Sequence, residues 1–406
     1  MKALYKKKIS IVGLGYIGLP TAALLASKGY KVFGTDVNIN IVKKINKGEV
    51  HIVEPDLDSY VSKVVTTGKL KAYTEIKPAD IYIICVPTPF KCIKGVRKPD
   101  LTFVKDATDS ISKVIKNNDI VILESTCPVG ATNIVENVFK DNNINTDNIY
   151  IGYCPERVLP GKIMTELVNN DRIIGGVNEI STQKIAEFYD SFVEGQILKT
   201  DAKTAEMCKL TENSYRDVNI AFANELSMIC DKNGIDVWNL IKLANHHPRV
   251  DILQPGTGVG GHCIAVDPWF IVSEDSENSK IIKQAREVND YKPEWVVNKI
   301  LEKVNTINKK NIKIACLGLA FKPDVDDLRE SPAINVVKAL KQLQYEIICV
   351  EPNIKKHDEF CLVDLQYAID NSDIIALLVG HKEFKSLTKK EFMESTIVID
   401  FCGLLK

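Results

Sequence analysis

The chain has 406 residues, of which 26% are charged and 45% hydrophobic, and its formal net charge at pH 7 is -1. Such a chain lacks the global positive field that holds nucleic acid or an anionic membrane, so an anionic ligand must be bound by local donors. No apolar run is long enough to span a membrane, and residues 1–10 lack the apolar core of a signal peptide. We therefore expect a cytoplasmic protein that binds neither nucleic acid nor membrane.

Short β-branched runs alternate with helical patterns in two parts of the chain, which predicts two doubly wound parallel sheets. In the first part the predicted strands are 8–12, 31–35, 81–86 and 120–123. In the last part they are 312–317, 346–350, 373–379 and 396–400. Residues 201–233, between the two, contain neither glycine nor proline and are predicted to form one long helix. The predicted fold class is α/β, with two Rossmann-like domains joined by a long central helix.

The first predicted strand is followed by the sequence GLGYIG at residues 13–18, which leads into a predicted helix. Its glycines permit a tight turn and a close approach of the backbone to a pyrophosphate. Asp36 ends the second predicted strand, where a carboxylate accepts hydrogen bonds from a ribose and repels a 2′-phosphate. The pattern predicts NAD as the cofactor. The predicted contacts are Gly13, Gly15, Tyr16, Ile17, Gly18 and Asp36.

Other polar turns follow predicted strands, at the sheet edge where open α/β sheets bind ligands. Pro87 and Thr88 follow one strand and Thr126 follows the next, so all three are predicted to line the cofactor site. In the last part of the chain, Gly318 opens a similar turn that is followed by Lys322 and Arg329. Because these two cations can bind phosphate, the turn indicates a second nucleotide site.

The 11 cysteines lack the Cys/His spacing of a metal site and are predicted to be reduced thiols, so we expect no bound metal. Cys263 has distinctive surroundings, because it follows Gly260-Gly261-His262 and precedes Asp267. Paired glycines let the backbone approach a ligand, and a nearby polar side chain favours the nucleophilic thiolate. A free cysteine is more often a small buried hydrophobic residue. The choice between a nucleophile and a buried structural cysteine therefore depends on the other motifs of the chain.

Taken in order, the motifs resemble those of the UDP-glucose/UDP-N-acetylmannosamine 6-dehydrogenase family over essentially the whole chain. The matching motifs are GLGYIG with Asp36, Val86-Pro87-Thr88-Pro89, Ser125-Thr126, Cys154-Pro155-Glu156-Arg157, Lys209-Leu210 with Asn213, Gly260 to Cys263 with Asp267, and Phe321-Lys322 with Arg329. Members of this family oxidise the sugar C6 hydroxymethyl group to a carboxylate with two NAD molecules and no metal. The resemblance implies their fold and a homodimer formed through the central helix.

The resemblance also implies roles for individual residues. Cys263 is similar to the nucleophile that captures the aldehyde as a thiohemiacetal and later forms a thioester. Lys209 and Asn213 lie on one helix face and resemble the pair that stabilises the oxyanion and positions a water molecule. Glu156 resembles the general base for hydrolysis, Asp267 the residue that polarises water beside the thiol, and Thr126 the residue that holds this water near the nicotinamide.

The implied ligand contacts and domains cover all three parts of the chain. The implied substrate contacts are Glu156, Arg157, Val158, Lys209, Asn213, Arg249, Gly260, Phe321 and Lys322, and Arg329 is implied as a cofactor contact. We expect an NAD-binding domain at 1–198, a helical dimerisation domain at 199–300 and a UDP-sugar-binding domain at 301–406.

Val266 departs from the UDP-glucose branch of the family, which has Lys just before the motif's aspartate. The segment from His262 to Phe270, with His247 to Val250, resembles instead the branch that acts on UDP-N-acetyl-D-mannosamine. In the wider family an arginine at the place of Arg249 reaches the substrate of the dimer partner. Thr257, where the family pattern has Pro, is expected to change the stiffness of the loop more than the chemistry.

These patterns predict oxidation of UDP-N-acetyl-D-mannosamine to UDP-N-acetyl-D-mannosaminuronate and leave four alternatives open. UDP-N-acetylglucosamine and UDP-glucose are alternative substrates. A hydroxyacid or 6-phosphogluconate type dehydrogenase would not need Cys263. A catalytically silent NAD-binding sensor belongs to a different functional class.

Overall fold

The computed structural model describes residues 7–93, 96–261, 263–388 and 391–405. The chain forms two compact units, which divide between Thr211 and Glu212. Each unit is built around its own sheet, mainly parallel in the first unit and parallel in the second, so the predicted α/β class with two Rossmann-like parts is confirmed. No helix in the described ranges combines the length and the apolar composition that a membrane span requires.

The first unit contains a large twisted sheet and a small separate hairpin. Its strands are β1 (Lys8–Val12), β2 (Lys31–Thr35), β3 (Leu70–Tyr73), β4 (Ile81–Ile84), β5 (Phe90–Ile93), β6 (Val96–Pro99), β7 (Ile120–Leu123), β8 (Tyr150–Tyr153), β9 (Arg172–Gly176) and β10 (Ile197–Asp201). The main sheet has the order β10-β9-β8-β7-β4-β1-β2-β3, and β5 pairs only with β6. The six strands β8, β7, β4, β1, β2 and β3 pair in parallel with their neighbours in this order. Strand β9 pairs antiparallel with β8.

Helices cover both faces of this sheet. They are α1 (Gly18–Ser27), α2 (Ile39–Asn46), α3 (Leu57–Thr66), α4 (Thr102–Ser112), α5 (Ala131–Asp141), α6 (Ile163–Asn169) and α7 (Glu179–Tyr189). Successive strand residues point to opposite faces, so Ile83 packs in the core that contains α1, whereas Ile84 packs in the core that contains α4 and α5. The sheet is therefore doubly wound, as predicted.

The long central helix, α8 (Ala202–Lys232), agrees with the prediction for residues 201–233. Buried residues recur every three or four positions along it, which defines one inward face. On the exposed surface four large apolar side chains recur at intervals of seven or eight residues. They are Met207, Tyr215, Phe222 and Ile229.

The second unit combines helices with a smaller parallel sheet. The elements after α8 are α9 (Val237–Ala244), α10 (Asp267–Glu274), α11 (Lys280–Val304), β11 (Lys313–Leu317), α12 (Pro332–Gln342), β12 (Glu346–Val350), α13 (Leu365–Asp370), β13 (Ile374–Leu377) and β14 (Ile397–Asp400). The sheet order is β12-β11-β13-β14, and all of its pairs are parallel. Buried polar groups join α8 to α11: Arg286 pairs with Asp217 across 2.7 Å, and Asn224 donates to Asn289 across 2.8 Å.

Candidate functional site

The turn after β1 has the backbone geometry of a dinucleotide cradle. Gly13 has φ +91°, and its N–H donates to the carbonyl of Thr35 across 2.8 Å. A Cβ on Gly18 would collide with the Gly13 carbonyl, so α1 can pack this closely only with glycine there. A Cβ on Gly15 would meet no atom within 4 Å, which leaves open space where a pyrophosphate approaches in this class of turn. These residues fit NAD.

Asp36 is fixed at the edge of this cradle. Its Oδ2 accepts a hydrogen bond from the Leu14 N–H at 3.1 Å, and its Oδ1 accepts from the Asn38 N–H at 2.8 Å. The side chain is only partly buried, so it remains accessible to a ribose. Tyr16 is 37% exposed beside the turn, and Ile17 is the N-cap residue of α1.

The two predicted turns after β4 and β7 are joined by hydroxyl groups. Thr88 Oγ1 donates to the Thr126 carbonyl across 2.5 Å, and Ser125 Oγ donates to the Val86 carbonyl across 2.7 Å. Pro87 lies exposed beside Thr88. The structure therefore brings Pro87, Thr88 and Thr126 together at one sheet edge, as the sequence predicts.

Glu206 anchors the loop that contains Thr126, and the sequence patterns did not identify it. This carboxylate of α8 is fully buried and accepts from the Gly130 N–H at 2.6 Å and the Thr132 N–H at 2.7 Å. Thr132 Oγ1 donates to it as well, at 2.6 Å. A negative charge is favourable at the N-terminus of α5, where N–H groups lack helical partners. Glu206 lies one turn before Lys209, so the same helix supplies the anchor and the predicted catalytic cation.

Glu156 is buried, and its carboxylate takes part in a network with two arginines. Its Oε2 forms a 2.5 Å ion pair with Arg172, and its Oε1 accepts from the Arg157 N–H at 2.7 Å. Arg172 is itself only 2% exposed and also donates to the Leu167 carbonyl. The Arg157 side chain turns to the backbone carbonyl of Asp171. Arg172 is a partner of Glu156 that sequence reasoning missed.

A second buried carboxylate, Glu124, directly precedes the Ser125-Thr126 turn. It accepts hydrogen bonds from Tyr189 Oη at 2.5 Å and from Cys85 Sγ at 3.3 Å. Burial, followed by the nearby charge of Glu156, raises the pKa of Glu124 to about 7. Glu124 is therefore protonated more easily than an ordinary glutamate.

In the second unit, Cys263 lies one helical turn before Asp267. The Asp267 N–H donates to the Cys263 carbonyl across 2.8 Å, and Asp267 is the first residue of α10. Asn213 of α8 donates from Nδ2 to Asp267 Oδ2 across 2.5 Å. Cys263 is partly exposed, whereas Asp267 is 3% exposed. Three of the predicted catalytic residues are thus brought together within this unit.

The glycines before Cys263 pack against the loop after β11. The Gly261 N–H donates to the Arg329 carbonyl across 3.1 Å, and Gly261 has φ +83°. A Cβ on Gly261 would approach the Phe321 ring to 2.9 Å, and one on Gly260 would collide with the Glu330 carbonyl. The predicted substrate contacts Gly260 and Phe321 are therefore neighbours.

Comparison with known proteins finds similarity along most of the chain. The UDP-glucose/GDP-mannose dehydrogenase family matches with its NAD binding domain at residues 7–193, its central domain at 203–291 and its UDP binding domain at 315–406. The chain belongs to this family. It is an NAD-dependent nucleotide-sugar dehydrogenase.

Individual relatives cover nearly the full chain. The UDP-N-acetyl-D-mannosamine dehydrogenase of Campylobacter jejuni is 53% identical, over 97% of this chain and 99% of that protein. The NDP-N-acetyl-D-galactosaminuronic acid dehydrogenase of Ralstonia nicotianae is 49% identical, over 98% and 96%. Among solved structures, the UDP-D-ManNAc dehydrogenase of Pyrococcus horikoshii has a TM-score of 0.90 and 39% identity, with 98% and 96% of the two chains covered.

The dehydrogenase repeats the geometry of its first glycine turn in the second unit. Gly318 has φ +92° and donates to the Val350 carbonyl across 2.8 Å. Here, however, a buried carboxylate occupies the turn: Glu351 Oε2 accepts from the Leu319 and Ala320 N–H groups at 2.7 and 2.9 Å. Burial tends to raise the pKa of Glu351, but hydrogen bonds from His381 and from backbone N–H groups hold it at about 2. The second turn therefore bonds two of its N–H groups to a carboxylate, whereas in the first turn only Leu14 is bonded in this way to Asp36, among the described residues.

The cations predicted beside this second turn have partners of their own. Arg329 forms a two-bond ion pair with Asp327, through Nη2 at 2.6 Å and Nε at 2.9 Å. Lys322 Nζ lies 5.6 Å from the centroid of the Phe321 ring. Asp324, His381 and Glu383 hold potential metal ligands within 4.8 Å of one another, but His381 Nδ1 already accepts the Asp324 N–H at 3.0 Å.

Three other residues with expected roles precede Cys263 in the chain. Arg249 is exposed after α9, and its backbone N–H donates to His247 Nδ1 across 3.3 Å. Thr257 is buried, and its hydroxyl donates to the Leu378 carbonyl across 2.5 Å, a bond that proline cannot make. His262 lies outside the described residues.

Proposed function

We propose that this dehydrogenase oxidises the C6 hydroxymethyl group of UDP-N-acetyl-D-mannosamine to a carboxylate in two steps. The main structural support for this reaction is the hydrogen bond from Asn213 to Asp267, because Asp267 lies one helical turn after Cys263. The sugar is supported by the 53% identity to a protein named UDP-N-acetyl-D-mannosamine dehydrogenase. It is also supported by the sequence around Val266, which departs from the UDP-glucose branch.

Each residue has a definite task in this mechanism. NAD supplies the hydride acceptor for both oxidations. The Cys263 thiolate adds to the aldehyde carbon, and the resulting thiohemiacetal is oxidised to a thioester that water then hydrolyses to free the thiol. Asp267 polarises the water beside the thiol, Asn213 holds the Asp267 carboxylate, and Lys209 stabilises negative charge on the sugar oxygen.

Glu156 and Thr126 of the first unit have further proposed roles in the reaction. Glu156 acts as the base in hydrolysis, and its ion pair with Arg172 fixes the carboxylate. Thr126 orients a water molecule near the cofactor, and Glu206 and Thr88 hold its loop. Arg157, Val158, Arg249, Gly260, Phe321 and Lys322 are proposed substrate contacts, and Pro87 and Arg329 are proposed cofactor contacts.

We also propose that the protein is a homodimer formed through α8. Met207, Tyr215, Phe222 and Ile229 are between 41% and 72% exposed along this helix. An apolar stripe with a seven-residue repeat is typical of a helix that packs on a second helix. Phe222→Glu should convert a dimer to a monomer in light scattering, whereas Phe222→Leu, which keeps an apolar side chain at the same position, should not. A monomeric wild-type protein would contradict the proposal.

Stoichiometry and substrate choice test the proposed reaction together. Purified protein with limiting UDP-N-acetyl-D-mannosamine should form two NADH per sugar, and Cys263→Ser should stop before the acid is released. Rapid oxidation of UDP-glucose or UDP-N-acetylglucosamine, without turnover of the mannosamine sugar, would reject the substrate assignment. NAD binding without NADH formation from any UDP-sugar would favour the silent sensor. Full activity of Cys263→Ser would favour a dehydrogenase of the hydroxyacid type.

A second candidate substrate is an N-acetylgalactosamine nucleotide. It is favoured by the 49% identity to a protein named NDP-N-acetyl-D-galactosaminuronic acid dehydrogenase. UDP-N-acetylgalactosamine should therefore be assayed beside the mannosamine sugar. A larger kcat/KM for the galactosamine sugar would select this alternative.

A further inference from the structure

A cavity of about 230 Å³ lies in the second unit, where the C-terminal ends of α8 and α11 meet α9 and the end of β14. None of the described residues that line it belongs to the predicted catalytic or substrate-binding set. The residues that define its chemistry are Ser227, Trp238, Lys292, Trp295, Lys303 and Phe401.

Lys292 is the central polar group of the cavity wall. It is 2% exposed, its Nζ donates to Ser227 Oγ across 2.5 Å, and Nζ lies 3.8 Å from the centroid of the Trp295 ring. Ser227 uses its own hydrogen to bond the Asn224 carbonyl at 2.6 Å, so it acts as the acceptor in its bond with Lys292. No carboxylate of the described residues lies within ion-pair distance of Lys292. Burial lowers its pKa to about 7.

The carboxylates around the cavity are bonded to other groups, and the charge of Asp231 raises the pKa of Lys292 by less than burial lowers it. Asp231 pairs with Lys299 at 2.8 Å, and Asp236 accepts from the N–H groups that begin α9. Asp400 accepts from two backbone N–H groups after β14, at 2.7 and 2.8 Å. Lys303 lies exposed at the rim and forms no ion pair within the described part of the chain. Lys292 and Lys303 are therefore the two lysines of the described cavity wall that an anion can meet outside an ion pair.

The walls and the size of the cavity limit the kind of anion. Trp238, Trp295 and Phe401 supply flat apolar surface. A cavity of about 150 Å³ can hold benzene, and pockets for drug-sized molecules begin at about 300 Å³, so this one suits a single ring with one small substituent. We propose that the cavity binds a small aromatic carboxylate, with its ring against the tryptophans and its carboxylate accepting a hydrogen bond from Lys292.

Benzoate titration of the full-length protein tests this site directly, because two of the three tryptophans line the cavity. Benzoate should change the tryptophan fluorescence with saturation. Lys292→Met should weaken benzoate binding by about tenfold or more, as expected for loss of a charged hydrogen bond. Benzyl alcohol, which keeps the ring without the charge, should bind the two proteins equally. Lys303→Met, at the rim, should change benzoate affinity much less.

Three outcomes would overturn the proposal: equal benzoate affinity in Lys292→Met and wild type, displacement of benzoate by UDP, or no saturable fluorescence change. If Lys292→Met does not fold, the wild type still decides the question. Benzoate favours the ammonium form of Lys292, so its affinity should fall between pH 6.5 and 8.5, whereas that of benzyl alcohol should not. A pH-independent benzoate affinity would contradict the proposal. NADH formation by Lys292→Met serves as the check on folding.

Discussion

Asn213 and Asp267 form a 2.5 Å hydrogen bond between the amide of the central helix and the carboxylate that begins α10. The Asp267 N–H in turn donates to the carbonyl of Cys263. Asp267 thus fixes the backbone of the proposed nucleophile, while Asn213 fixes the side chain of Asp267. This arrangement couples α8 to the geometry of the thiol.

Asn213→Ala should lower kcat by up to about a hundredfold, because a misplaced catalytic group costs activity of this order. NAD affinity should be unchanged, since the cofactor cradle lies in the first unit. Steady-state kinetics and NAD titration measure the two effects. Asn213→Asp places a second carboxylate against Asp267, and a nearby like charge raises the pKa of a carboxyl group. The pH dependence of kcat in this variant should therefore also move to higher pH. Wild-type kcat in Asn213→Ala would show that Asp267 does not depend on this bond.

Alanine substitutions at Gly15 and Gly18 should have different effects, the first on NAD affinity and the second on stability. Gly15→Ala adds a methyl group into open space, so the melting temperature should stay the same while the dissociation constant for NAD rises. Gly18→Ala must displace the Gly13 backbone and should destabilise the protein by about 1–3 kcal/mol. Calorimetry of folding and of NAD binding measures both. Unchanged NAD affinity in Gly15→Ala would argue against a pyrophosphate at this turn.

Glu206→Gln should destabilise the first unit, because an amide cannot replace a carboxylate that accepts three hydrogen bonds. Loss of a charged hydrogen bond together with a buried mismatched N–H predicts a decrease of about 3 kcal/mol in the free energy of unfolding. Glu225→Gln, on the exposed side of the same helix, is the matched control and should have almost no effect. Equal stabilities of the two variants would contradict the anchoring role.

Lys292 should make stability depend on pH in a defined direction. Its pKa is about 7 in the folded protein, against an ordinary value of 10.5, so between these pH values the unfolded chain binds the extra proton. The contribution of Lys292 to the free energy of unfolding therefore rises with pH across this window. The stability of Lys292→Met relative to wild type should be greater at pH 6.5 than at pH 9.5, by about 3 kcal/mol.

Urea unfolding at the two pH values measures this difference, and Lys303→Met on the same helix is the exposed control. If the relative stability of Lys292→Met is the same at both pH values, the amine does not titrate within the window.

The elements that could be predicted from the sequence are those with strong local signals. The glycine turn at 13–18, the apolar strands 8–12 and 120–123, and the uninterrupted helix at 201–233 all have them. The strand β10 was missed because most of its residues are exposed, so it lacks an apolar run. Strand β9 was not predicted either. Its antiparallel pairing with β8 could not be predicted, because pairing direction depends on a distant strand rather than on local pattern.

The residues of the site likewise fall into those that local motifs identify and those that they do not. Cys263, Asn213 and Asp267 were found because they lie in recognisable motifs. Glu206 and Arg172 have no such signal, and charged residues are usually exposed. They are buried here because each meets its partners from elsewhere in the chain: Glu206 binds a backbone N–H 76 residues away.

The sequence by itself determined the α/β class, the NAD turn, the thiol and the family, since these depend on short-range backbone preferences and on motifs of a few residues. Only the tertiary structure decided which charges are buried. It joined Glu156 to Arg172, and Glu351 to the N–H groups of the second glycine turn. It also buried Lys292 in a cavity wall, beyond ion-pair distance of any carboxylate in the described ranges. The physical reason is that desolvation and ion pairing depend on contacts between segments far apart in the chain, which no local pattern encodes.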